Sequence, residues 1–229
     1  MTNVPPTSQF AQHGGVQAIK DAILNTENIT LQELTALFQP FSVCEDYINP
    51  PYLKAELSKC ILRAMRFVHD LSDDDMKDKE VGCVSDLLKA IKTLLIRCSL
   101  WDMVSTVDNL RLSITIRMLN IPHFNAKMNA LKEVVRLTEE PYQSATKGVK
   151  SPIPAERVAD WLVSNKVLSI ALGGNLHQSQ YCNKIQSIVE FLGTKLSLDD
   201  LSSIWEMQVD KNPVQVENCL LYTSPSPRD

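Results

Sequence analysis

Cysteine and histidine are the side chains from which this chain would have to build nucleophilic chemistry. A thiol nucleophile needs a histidine to take its proton and a third group to orient that histidine. The chain carries Cys44, Cys60, Cys83, Cys98, Cys182 and Cys219, and four histidines, His13, His69, His123 and His177. None of the ten stands in a recognisable nucleophile motif. No two cysteines form a CxxC pair, and neither zinc-ligand spacing, H-E-x-x-H nor a phosphate-binding loop occurs. Ser72-Asp73-Asp74-Asp75 gathers three carboxylates, one way to hold a hard divalent cation. No histidine or glutamate cluster supports that use, and the run reads better as an N-cap with favourable charge at a helix start. Gly173-Gly174 lacks the G-x-G-x-x-G spacing and a preceding strand, so it is read as a helix stop. His123 follows a proline in a turn, where we expect a turn hydrogen bond rather than a ligand. Trp101, Trp161 and Trp205 are expected to be core anchors rather than an aromatic cage. We therefore assign no catalytic, cofactor-binding or metal-binding residue, and expect no cofactor.

The elements that position these residues are helical by pattern. The central stretch is Asp108–Glu139, read as two helices with a break at residues 120–123. Phe124, Met128, Leu131 and Val135 recur at spacings of four, three and four, which places them on one helical face. Lys132, Glu133 and Arg136 fall on other faces. The first half is ambiguous, because Leu110, Leu112, Ile114, Ile116 and Met118 alternate with polar residues as a half-buried strand would. No other segment offers a partner strand, and a lone strand leaves its backbone groups unpaired. A helix apolar on two sides, held between neighbours, is the expectation.

The flanking segments read alike. Val16, Ile19 and Ile23 follow a break at Gly14-Gly15, and Thr30-x-x-Glu33 forms a capping box ahead of Leu31, Leu34 and Leu37. Pro40 is expected to kink or end that helix. Leu53, Leu57, Cys60, Ile61, Ala64 and Val68 make a broad stripe. Leu87, Leu88, Ile91, Leu94, Leu95 and Cys98 make another, with Ser85 or Asp86 near its cap. Residues 140–153 are expected to be a linker loop, with Pro154 in the first turn of the next helix. Tyr181, Ile185, Ile188 and Leu192 form a further face closed by Gly193, and Ser197-x-x-Asp200 looks like a second capping box. Leu201, Ile204 and Trp205 should face inward from its helix, yet be partly uncovered, because the proline-containing tail cannot form a next helix to pack on them. Such a string of short-linked helices suggests stacked helical pairs, an armadillo/HEAT-like α-solenoid segment, although no repeat period is clean enough to name.

Composition agrees with an all-α class. Seven glycines in 229 residues are few for a turn-rich β-fold, and 44% hydrophobic residues suffice for a continuous core. The net charge of −4 without a basic block argues against nucleic acid or an anionic membrane as partner. No apolar run reaches the roughly 18–20 residues a membrane helix needs, and MTNVPPTSQF does not read as a signal peptide. Scattered cysteines on apolar faces point to free thiols in a reducing compartment, hence a cytoplasmic location with the nucleus as a second one.

Four stretches carry a resemblance: LRLSITIRMLNIPHFNAKMNALKEV, DWLVSNKVLSIALGGNLHQSQYCNKI, EFLGTKLSLDDLSSIWEMQ and, more weakly, GGVQAIKDAIL with LFQPFSVCEDYI. Together, from Gly14 to Asn218, they resemble the N-terminal helical-repeat region of the very large ubiquitin-specific proteases. The resemblance implies a cysteine-type deubiquitinase as parent, of which this chain is a non-catalytic armadillo-like fragment. The family's cysteine and histidine boxes are not found among these residues, so no catalytic role transfers. It further implies protein partners, namely ubiquitinated substrates or regulators. A helical-repeat adaptor unrelated to ubiquitin is the alternative, because fold does not fix function. The resulting division is 1–9 disordered, 10–139 helical repeat, 140–153 linker, 154–218 helical repeat, and 219–229 a tail, CLLYTSPSPRD, that departs from the family pattern and reads as non-native sequence.

Overall fold

The computed structural model describes residues 10–43, 50–147 and 151–209, and the expectations for 1–9 and 219–229 lie outside them. Every element among the described residues is helical, and no strand occurs there. The α-helices run α1 Gly15–Asn25, α2 Leu31–Val43, α3 Pro50–His69, α4 Cys83–Arg97, α5 Trp101–Asn120, α6 Phe124–Lys147, α7 Ala155–Ser164, α8 Val167–Leu172, α9 Ser179–Leu192 and α10 Leu198–Val209. Short 3-10 turns cover Asp75–Lys77, Lys79–Gly82 and Gly193–Lys195. The chain packs as two compact units, Met1–Ile114 and Thr115–Asp229, with the boundary inside α5.

In the first unit α2 lies against α4, and α1 and α4 each pack on α3. The start of α1 needs Gly14, whose φ of 82° sits in the left-handed region that side chains disfavour. The capping box at α2 is formed: the Thr30 N–H donates to Glu33 Oε2 at 2.8 Å, and the Glu33 N–H donates to Thr30 Oγ1 at 3.2 Å. The Thr30 N–H, and after it the Thr30 hydroxyl donating to the same Oε2 at 2.9 Å, hold the Glu33 carboxyl below its ordinary range. Pro40 does not end α2, which continues to Val43. The lost ladder bond is local, and Arg97 Nη1 donates to the Phe41 carbonyl in the last turn at 3.3 Å. Phe38 and Phe41 are buried and meet edge to face with centroids 6.5 Å apart, whereas Leu37 is only half-buried. α4 begins three to four residues earlier than expected, at Cys83 with Gly82 as N-cap, because the Lys79–Gly82 turn leads straight into it.

The central stretch is two helices, as the periodicity implied, with residues 121–123 as the break. Leu112, Ile114, Met118 and Leu119 are buried in α5, and Met128, Leu131 and Val135 in α6. Charged groups are buried here as well, Asp108 and Glu133 among them. Asp108 of α5 accepts from Lys92 Nζ of α4 at 2.7 Å, with both side chains more than nine-tenths covered. Glu133 is 4% exposed and lies 3.6 Å from Arg136 Nη1 one turn on. In both cases an oppositely charged partner stands beside the buried carboxylate.

In the second unit α6 packs on α7 and α9, α8 on α7 and α9, and α10 on α8. α6 runs through Pro141 to Lys147, so helix occupies half of the expected linker. Pro154 serves as N-cap of α7, and Lys166, at φ 50°, turns the chain from α7 into α8. The tryptophans are not core anchors. Trp101 is 55% exposed at the first residue of α5, and Trp161 is half-buried. Trp205 is 68% exposed on α10, which has α8 as its packed neighbour.

Candidate functional site

The side chains that could do nucleophilic chemistry are placed for packing. Cys60, Cys98 and Cys182 are buried and, with half-buried Cys83, are free thiols. Burial pushes the Cys60 and Cys98 thiols above their ordinary value. A reactive cysteine needs the opposite, an electropositive and accessible setting that lowers its pKa. The Cys182 thiol donates to the Leu176 carbonyl at 3.0 Å. His13 and His177 are exposed, and His69 Nδ1 lies 2.9 Å from Asp70 on the surface. The expected turn bond of the His123 ring is not made at Nδ1, which is buried without a partner; the turn is closed by the backbone, His123 N–H to Ile121 carbonyl at 2.7 Å.

The acidic run is a cap. The Ser72 N–H donates to Asp75 Oδ2 at 2.8 Å, and the Asp75 N–H donates back to Ser72 Oγ at 3.1 Å. The Ser72 hydroxyl, then its N–H, hold the Asp75 carboxyl below its ordinary range. Asp74 pairs with Lys77 at 2.6 Å. Among the described residues no group of three His, Cys, Asp or Glu is placed to hold a metal ion.

What the arrangement offers is surface. In the first unit a groove of about 510 Å³ runs beside α3. Leu31, Phe67, Leu71 and Val81 supply its apolar part; Arg63 and Arg66 line it from α3, and Asp70, Asp75 and Asp78 add acids. Arg63 is already engaged: Nη1 donates to the Leu24 carbonyl and Nη2 to the Thr26 carbonyl at 2.6 Å, satisfying orphan groups where α1 ends. In the second unit α10 carries Leu198, Leu201 and Trp205, 81%, 47% and 68% exposed, at helical spacings of three and four. The inward reading of this helix holds in part, since Ile204 is half-buried. Its start is fixed by the expected box, Ser197 N–H to Asp200 Oδ2 and Asp200 N–H to Ser197 Oγ, both 3.0 Å.

One contact escaped sequence reasoning. Tyr181 is fully buried, and its hydroxyl donates to the Ala171 carbonyl in the last turn of α8 at 3.0 Å. Burial pushes this phenol up to about 12. A Cβ on Gly174 would meet the Tyr181 Oη at 2.1 Å, so the second glycine of the pair makes room for the tyrosine. The available signal was the double glycine, where one residue suffices to stop a helix.

Helix laid on helix, exposed grooves and faces, and thiols held in cores define an all-α repeat protein of the armadillo type. The model of the UBP24/USP9X/USP9Y ARM repeat matches residues 105–221, and the chain belongs to that family. The match takes in the first three residues of the segment read as non-native. The chain is similar to ubiquitin carboxyl-terminal hydrolase 24 of Homo sapiens, 44% identical over 211 residues, which are 92% of this chain and 8% of that protein. It is 31% identical over 225 residues to ubiquitin carboxyl-terminal hydrolase 9X of Mus musculus, covering 92% of this chain and 9% of that protein. With the probable ubiquitin carboxyl-terminal hydrolase FAF of Drosophila melanogaster it shares 28% over 212 residues, 83% of this chain and 8% of the relative. The chain thus spans less than a tenth of the length of these relatives. No solved structure matches it. No helix among the described residues is long and apolar enough to cross a membrane.

Proposed function

We propose that this chain is a non-catalytic scaffold segment of a cysteine-type deubiquitinase, and that it recruits or orients protein partners, either ubiquitinated substrates or regulators. The observation that carries this reading is membership of the ARM repeat family, whose relatives here bear the names of ubiquitin carboxyl-terminal hydrolases. Stacked helices present extended surfaces on which partners dock, and here the groove beside α3 and the apolar face of α10 are such surfaces. The buried thiols with raised pKa values fit a supporting role rather than a nucleophilic one. The net charge of −4 suits protein partners better than nucleic acid or an anionic membrane. A reducing cytoplasmic location, with the nucleus as a second, suits the free thiols.

The test separates recruitment from chemistry. In the longer protein that contains this segment, removing the segment should leave cleavage of a minimal ubiquitin–fluorophore substrate unchanged. Cleavage of a ubiquitinated protein substrate should slow. Equal loss on both substrates would overturn the recruitment role. The isolated chain should not react with a ubiquitin-based thiol probe, and labelling that disappears when one cysteine is mutated would make it an enzyme. A transcript whose downstream frame lacked cysteine and histidine boxes would favour an adaptor unrelated to ubiquitin.

A further inference from the structure

We draw no further inference here: the strongest candidate, the exposed apolar face of Leu198, Leu201 and Trp205 on α10, carries none, because nothing in the structure shows what covers it.

Discussion

In Met1–Ile114 the carbonyls at two helix ends are met by arginines reaching from neighbouring helices, Arg63 to the end of α1 and Arg97 to the end of α2. In Thr115–Asp229 the last turn of α8 is met by a phenol, Tyr181, and the loop after it by a thiol, Cys182. The same need, orphan carbonyls at a helix end, is answered by charge in one unit and by neutral buried donors in the other. A buried cross-helix ion pair, Lys92–Asp108, also lies in the first unit, while the second holds the exposed pair Lys195–Asp160. A guanidinium on a long arm keeps part of its hydration and tolerates small shifts of its target. A buried phenol has one position, and here it requires a glycine opposite. The first unit should therefore be sensitive to loss of charge, and the second to loss of shape.

The largest effect should come from orphaning a buried charge. Lys92→Met leaves Asp108 unpaired in the interior and should cost about 3–5 kcal/mol, while Lys92→Met with Asp108→Leu should recover most of that. Denaturant titration of the single and double variants checks this, and a double variant as unstable as the single one would show that the pair does more than neutralise itself. Next is a shape change in the second unit. Leu131 is fully buried, so Leu131→Ala should cost roughly 2–5 kcal/mol through lost packing and a cavity. Its exposed neighbour should behave differently, Lys132→Ala changing stability by less than about 0.5 kcal/mol. Equal melting-temperature losses would mean the register of α6 is wrong.

Tyr181→Phe should cost about 0.5–1.5 kcal/mol by removing one of two donors to the Ala171 carbonyl, which keeps the Gly174 N–H at 3.0 Å. It also carries a pH signature. The phenol ionises near 10 in an open chain and at about 12 when buried, so the folded form binds the proton more tightly. Its contribution is complete below about 10 and is lost as pH rises towards about 12. The gap in stability between parent and Tyr181→Phe should narrow over that window; a constant gap would place the hydroxyl in water. The smallest effects belong to ion pairs in contact with solvent, such as half-buried Lys20–Glu56 in the first unit and exposed Lys195–Asp160 in the second. Lys20→Ala and Lys195→Ala should each shift the thermal midpoint little, and less still at high salt. A large loss from Lys20→Ala alone would sharpen the contrast, extending the first unit's dependence on charge to its surface.

What the sequence determined by itself was the local order. Spacings of three and four placed α6 and its buried row, because a helical face must meet its neighbour at each turn, while α5 was read as helix because no segment offered a partner strand. Two capping boxes, at Thr30 and Ser197, and an N-cap at Ser72 were readable because a cap joins residues three apart and needs no distant partner. The resemblance rested on such stretches, and it led to the family. Tertiary structure decided everything that depends on a partner far along the chain. Lys92 and Asp108 are sixteen residues apart, and Arg63 is thirty-nine from Leu24, so no local pattern marks either pair. Pro40 and Pro141 read as breaks, yet α2 and α6 run through them, because neighbouring packing can outweigh one missing ladder bond. The tryptophans were misjudged for the same reason. Residue type states how much surface a side chain would gain by burial, but only the placement of neighbouring helices decides whether Trp101 and Trp205 find something to be buried against.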